Sequence, residues 1–108
     1  MKRRSIVTDD MAISVCSGQP SECAHELIFG SGMREKAIED GIVIPLTHKE
    51  HNMAVTLADR IHDNPRAEDL SKIAGQLAWE KEFYRKELKE TADPAREAFR
   101  IRYGISYL

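Results

Sequence analysis

Hydrophobic positions follow two regimes along the chain: short apolar runs broken by glycine and proline up to about residue 46, and stripes at helical spacing after it. Residues 5–15 mix β-branched and polar side chains and read as an irregular or strand-like lead-in, and Ser17-Gly18-Gln19-Pro20-Ser21 is a turn by composition. Ala24 to Phe29 is an apolar run interrupted by His25 and Glu26 and closed by Gly30-Ser31-Gly32, the pattern of one strand of a hairpin-like element. Met33 to Asp40 predicts a short helix that stops with Gly41 at C′. Ile42-Val43-Ile44 predicts a second strand, ended by Pro45.

After Pro45 the signals become helical. Thr47 and Glu50 have the spacing of a capping box, in which hydroxyl and carboxylate satisfy reciprocal orphan amides, and Ala54, Leu57, Ala58 and Ile61 would form one face of the helix that follows. Asn64-Pro65 closes it and opens the next, with Asn64 as cap and Pro65 in the first helical position. From Arg66 to about Thr91 a stripe of Leu70, Ile73, Ala74, Leu77, Tyr84 and Leu88, widened by Trp79 and Phe83, predicts a long helix with an apolar packing face. Asp93-Pro94 repeats the cap-and-proline signal for a last helix carrying Ala98, Phe99 and Ile101. Gly104 stops it, and Ile105, Tyr107 and Leu108 form a tail expected to pack back. The predicted fold class is α+β, a short hairpin plus helix followed by C-terminal helices.

Composition narrows the function classes only slightly. A chain of 108 residues suits one domain with one modest core. The formal net charge of -2 offers no basic footprint over the whole molecule, so nucleic-acid contact would have to come from local clusters. Those clusters are Lys2-Arg3-Arg4, Arg34 with Lys36, and Arg96, Arg100 and Arg102, and each is equally well read as a solvated face. The basic start runs into Asp9 and Asp10 instead of an apolar stretch, and no segment is long and apolar enough to cross a bilayer, so a cytoplasmic protein with no membrane partner is expected. In that compartment Cys16 and Cys23 are expected as thiols or metal ligands rather than a disulfide, and their spacing is a weak zinc signature.

Candidate chemistry is concentrated at the front. Three of the four histidines lie in Cys23-Ala24-His25-Glu26-Leu27-Ile28-Phe29-Gly30 and Thr47-His48-Lys49-Glu50-His51-Asn52. Neutral imidazole is a good ligand for zinc and accepts nickel, manganese or iron in mixed sites, and His25 and His51 would meet around one ion if strand and helix pack together. Glu26 follows His25 directly, and adjacent strand side chains point to opposite faces, so a shared site would need a bulge or a strand end there. The plainer reading of His25 is a core histidine satisfied by a backbone carbonyl. His48 is expected to be exposed, His62 is also readable as a helix-terminal residue facing the dipole, and Trp79, Phe83 and Tyr84 are expected to be packing residues.

These segments resemble the HNH endonucleases, the ββα-metal or His-Me finger family, and above all its small phage-type members. The likeness rests on His25-Glu26-Leu27-Ile28-Phe29-Gly30, on Arg34 with Glu39-Asp40-Gly41-Ile42-Val43-Ile44-Pro45-Leu46, and on Thr47-His48-Lys49-Glu50-His51-Asn52-Met53. Gln76-Leu77-Ala78-Trp79-Glu80 and Tyr103-Gly104-Ile105-Ser106-Tyr107-Leu108 extend it, so that it covers most of the chain from Cys16. It implies a metal finger over residues 13–62 and a helical arm over 65–108 within one domain 1–108, with the chemistry in the first sixty-odd residues.

The resemblance further implies that one divalent ion (Mg, Mn, Ni or Zn) is held by His25 and His51, with Asn52 a neighbour that orients the site and His62 completing the shell. It puts His25 and Glu26 in the catalytic motif, with Glu26 where the water-activating histidine of the family stands, and Arg34 on a DNA phosphate. Implied partners are DNA and phage packaging proteins. On one straight helix His51 and His62 would be ~16 Å apart, so both can bind one ion only if that helix breaks. Two features depart from the family pattern. A carboxylate replaces the second histidine, and Thr47 and Glu50 replace the cysteines of a structural zinc, which is therefore not expected. The expectations are a metal-dependent DNA endonuclease or, in a different class, a catalytically silent protein of the same fold that binds DNA or a protein.

Overall fold

The computed structural model describes residues 4–83 and 93–108. Lys2 and Arg3 of the basic start, and Tyr84, Leu88 and Thr91 of the long predicted helix, lie outside the described residues. The protein is α+β: strands β1 (Cys23–Glu26) and β2 (Val43–Leu46) form an antiparallel pair, with helix α1 (Arg34–Asp40) between them and helices α2 (Pro65–Phe83) and α3 (Asp93–Tyr103) after them. The register pairs Cys23 with Leu46, Ala24 with Pro45, His25 with Ile44 and Glu26 with Val43.

Pro45 does not end its strand as predicted but sits inside it. Its carbonyl accepts from Val15 N–H at 3.1 Å, on the side of β2 facing away from β1, so a proline there removes no bond from the ladder. The stop after α1 is as the sequence indicates. Gly41 adopts φ 76°, and the amides of Gly41 and Ile42 return to the carbonyls of Ile38 and Ala37, the bonding that a left-handed residue allows at a helix end.

The helix predicted between Thr47 and Ile61 does not form. Its capping box does: Glu50 N–H donates to the Thr47 hydroxyl at 3.2 Å, and Thr47 N–H to the Glu50 carboxylate at 2.9 Å. The chain then makes one π turn, Lys49–Met53, goes extended at Ala54 (ψ 141°), and makes a short 3₁₀ turn, Leu57–Asp59. Val55 is fully exposed and Leu57 largely so, while Ala54 and Ile61 are covered. Arg60 clips this loop together, donating to the carbonyls of Asn52 (2.9 Å), Ala54 (3.2 Å) and His62 (3.1 Å).

Two apolar clusters hold the fold. Leu27, Ile44 and Leu46 pack with Cys23 and Ile61 on the hairpin side, and Ile28, Ala37, Ile42, Phe99 and Tyr103 pack with Trp79 on the helical side. Asp40, at the end of α1, ties the helices by accepting from Trp79 Nε1 (2.9 Å), Tyr103 Oη (2.7 Å) and Arg102 Nη2 (3.0 Å).

α2 is oriented against its apolar stripe. Leu70 and Leu77 are 65% and 52% exposed, whereas Ser71, Gly75, Gln76 and Glu80 are buried. The reason lies in what α2 packs against. Gly75 lets the helix approach the residues after β1 so closely that a β-carbon there would be 2.9 Å from Ile28 Cγ1, and the polar side chains meet polar partners, Ser71 at His25 and Gln76 donating to Glu80 and Ser106. In α3, Phe99 is buried as expected, but Ile101 is exposed and Ala95 and Tyr103 take the inner face instead. Among the described residues no helix is long and apolar enough to cross a membrane.

Candidate metal centre

β1 carries His25 inward and fully buried at its centre, paired across the ladder with Ile44. The π turn brings His51 toward it, and the break in the predicted helix lets the chain return so that His62, just before α2, joins both. Two backbone bonds fix that return: Ile61 N–H donates to the Glu50 carbonyl (2.8 Å) and His62 N–H to the His51 carbonyl (3.0 Å). Ring centroids lie 5.1 Å apart for His25 and His51, 5.1 Å for His25 and His62, and 4.6 Å for His51 and His62. The condition the sequence set for His62, a broken helix, is met.

Among the described residues the buried side-chain polar atoms without a hydrogen-bond partner are His25 Nδ1, His51 Nε2 and His62 Nε2. One ligand atom from each of these rings lies within 4.8 Å of the other two. The opposite nitrogens of two rings explain the arrangement. Ser71 Oγ donates its one proton to the Leu27 carbonyl at 2.7 Å, so at 2.8 Å from His25 Nε2 it must accept, which places the His25 proton on Nε2 and leaves Nδ1 as a lone pair. His62 Nδ1 lies 3.4 Å from Glu68 Oε2, a carboxylate that can only accept, so the Nδ1 proton points outward and the tautomer that keeps this contact leaves Nε2 as the lone pair.

Burial, and next the neighbouring imidazoles, push His25 down to about 3 and His51 to about 4, with the Arg34 charge adding to both. Both rings are therefore neutral at pH 7, the form that binds metals. Two nitrogens at ~2 Å from one tetrahedral zinc are ~3.4 Å apart, so small inward rotations of these rings would close the set around a single ion. The donor set fits: the cluster can hold a metal ion.

Glu26 is not in this group. Strand alternation sends it away from His25, and its carboxylate meets Arg34 Nη1 at 3.3 Å, so the structure joins two residues the sequence singled out for separate roles. His48 is exposed, as expected. Asn52 is exposed as well, and its carbonyl serves the Arg60 clip. Cys16 and Cys23 are free thiols, and Cys23 Sγ faces the carbonyls of Leu46 and Thr47. A wide surface groove lined by Ser17, Glu22, Thr47, His48, Met53 and Val55 contains none of the three clustered histidines.

α2 forms where the sequence predicts a helix, but its polar face is not among the predicted site residues. Glu68, Ser71, Lys72 and Gly75 lie on one helix face and approach His62, His25, Phe29 and the side chains of Leu27 and Ile28 in turn. A signal was present, since these polar and small residues recur at helical spacing opposite the leucines, but it has no apolar periodicity to mark it. The supposed helical arm thus supplies the supports of the front-half ligands.

A scan of protein-family models, a search of curated proteins and a search of solved structures each found no match. The fold and the site define an α+β protein with a candidate three-histidine metal centre.

Proposed function

We propose that the protein is an HNH-like, metal-dependent endonuclease hydrolysing DNA phosphodiester bonds at the three-histidine centre. The observation that carries this reading is the convergence of three buried, unpartnered imidazole nitrogens from a strand, the turn after its partner strand and the following loop. The motif likeness supplies the reaction class. A divalent ion held there would act as a Lewis acid toward a phosphoryl oxygen and its leaving group. An all-nitrogen set suits zinc, nickel or manganese better than magnesium, which prefers oxygen ligands.

The residues then divide the work. His25, His51 and His62 hold the ion, Ser71 and Glu68 keep the rings of His25 and His62 in the binding tautomer, and Phe29 covers the cluster with ring contacts to His25 and His62 at 5.6 and 4.8 Å. Glu26 stands in the base position and Arg34 beside it is the candidate phosphate contact. Phage packaging proteins are further partners in this reading.

The Glu26–Arg34 contact favours a second reading, because it occupies the carboxylate a base would need free. In that reading the fold is catalytically silent and binds DNA or a protein. Plasmid nicking with added magnesium, manganese, nickel or zinc, beside His25→Ala, separates the two. The nuclease reading expects nicking with a transition metal and its loss in His25→Ala. Cleavage that persists in the variant would sink the site, and DNA binding without cleavage would leave the silent module.

A further inference from the structure

The Phe29 ring that covers the histidines is itself flanked by two cations. Lys72 Nζ lies 4.8 Å from its centroid and the Arg34 guanidinium 5.7 Å. Lys72 is the residue after Ser71 and one turn after Glu68, so the helix that orients the imidazoles also delivers this ammonium. Its other neighbour is again aromatic, Tyr107 at 5.8 Å. Among the described residues no carboxylate pairs with Lys72, and Arg34 shares its charge only with Glu26.

Aromatic faces hold a cation in place without neutralising it. A lysine kept for folding alone would more economically be an aliphatic residue or one half of an ion pair. Lys72 is instead half-buried, unneutralised and close to a cluster that itself contains no carboxylate. Glu26 shares the Arg34 charge and Glu68 stands one turn before Lys72 against His62, so among the described residues Lys72 is the cation at this edge that has no ion-pair partner. A guanidinium fork beside a point-like ammonium is a combination that matches the several oxygens of a phosphoryl group.

We propose that Arg34 and Lys72, both within about 6 Å of the Phe29 ring centroid, form a phosphate-holding bracket at the edge of the histidine cluster. The ligand class is a phosphoryl oxyanion, free or within a diester. Lys72 acts as a substrate-positioning residue. The inference rests on the reading of the three histidines as a metal centre, but not on turnover.

The test is calorimetric titration of inorganic phosphate, and separately of a thymidine dinucleotide with its single diester, into protein loaded with one equivalent of nickel. Loss of one charge-assisted contact weakens binding about tenfold or more, so Lys72→Gln and Arg34→Gln should each show that loss, while Lys72→Arg restores most of it. Lys81→Gln, an exposed lysine elsewhere on α2, should bind phosphate like the parent. Nickel affinity should stay within about twofold in every variant. Phosphate affinity unchanged in Lys72→Gln, no phosphate binding by the loaded parent, or a fall in nickel affinity equal to the fall in phosphate affinity would each overturn the proposal. If nicking is absent while phosphate binding still depends on Lys72 and Arg34, the nuclease reading falls and the bracket stands. Dinucleotide binding with the same dependence assigns the bracket to a diester, and binding of phosphate alone assigns it to a free or terminal phosphate.

Discussion

Replacing Ser71 with alanine removes a single oxygen that serves two buried groups. The hydroxyl donates to the Leu27 carbonyl at 2.7 Å and accepts from His25 Nε2–H at 2.8 Å, and both Ser71 and His25 are buried. The substitution therefore leaves one acceptor and one donor without partners, each costing about 1–3 kcal/mol. Alanine returns about 0.5 kcal/mol through its better helix propensity. The expected net loss is about 2–4 kcal/mol, a large part of the stability of a domain this size. Urea unfolding in the presence of a chelator, followed by the fluorescence of Trp79, reads this directly. A second consequence is specific to the site. With Nε2–H no longer held, His25 loses its enforced tautomer, and metal affinity should fall about 10–100-fold, as is usual when an orienting partner of a ligating histidine is lost. Ser71→Thr keeps a hydroxyl and should retain more of both properties. A Ser71→Ala protein that unfolds within about 0.5 kcal/mol of the parent and binds nickel equally well would refute the assignment of the His25 proton.

Two other perturbations test different parts of the account. In metal-free protein His25 and His51 are held neutral by burial, at about 3 and about 4 against an ordinary 6.5, so the unfolded chain takes up protons that the fold refuses. Stability should be fully present above pH 6.5 and decline as pH falls toward 4, by at most about 1.4 kcal/mol per pH unit for each group, with half-buried His51 contributing less. Chelator-treated protein whose urea midpoint stays flat or rises from pH 7 to pH 5 contradicts this. Gly75→Ala should destabilise although alanine is the better helix former, because the new β-carbon would stand 2.9 Å from Ile28 Cγ1 and 3.0 Å from Leu27 Cβ. Overpacking of about 1–3 kcal/mol outweighs a propensity gain of about 0.5–1 kcal/mol, and a raised melting temperature would show that α2 shifts away instead.

What was legible in the sequence follows a physical division. Features fixed by local backbone chemistry were readable: the Thr47/Glu50 capping box, Gly41 ending α1, and Asn64-Pro65 opening α2 all appear where their side-chain chemistry requires. Continuation was not readable. A capping box marks where a helix begins and carries no information on its length, and after Met53 the backbone bonds from Ile61 and His62 back to Glu50 and His51, with the Arg60 clip, take the place of further helical turns. The stripe on α2 misled for a related reason. Apolar periodicity predicts an inner face only when the neighbour is apolar, and the neighbours here are a buried imidazole and the close-packed residues after β1. Ser71 and Glu68 could therefore not be recognised until the histidines they orient were located.

The same division explains why the cluster is better read as a ligand site than as a polar core. A buried polar nitrogen with no partner costs about 1–3 kcal/mol, and three of them gathered at one point accumulate that cost in one place. A core selected only for stability would rotate one ring to donate to another, since neutral imidazole carries both a donor and an acceptor. For two of these rings the fold prevents it, because Ser71 and Glu68 hold the protons of His25 and His62 on the outer nitrogens. Glu68 and Ser71 contribute little to apolar packing, yet they occupy the inner side of a helix whose leucines face solvent. An arrangement that gathers three unpartnered imidazole nitrogens, two of them held as acceptors, is stabilised when an electrophile fills the space between them, and a divalent cation is an electrophile that imidazole ligands match.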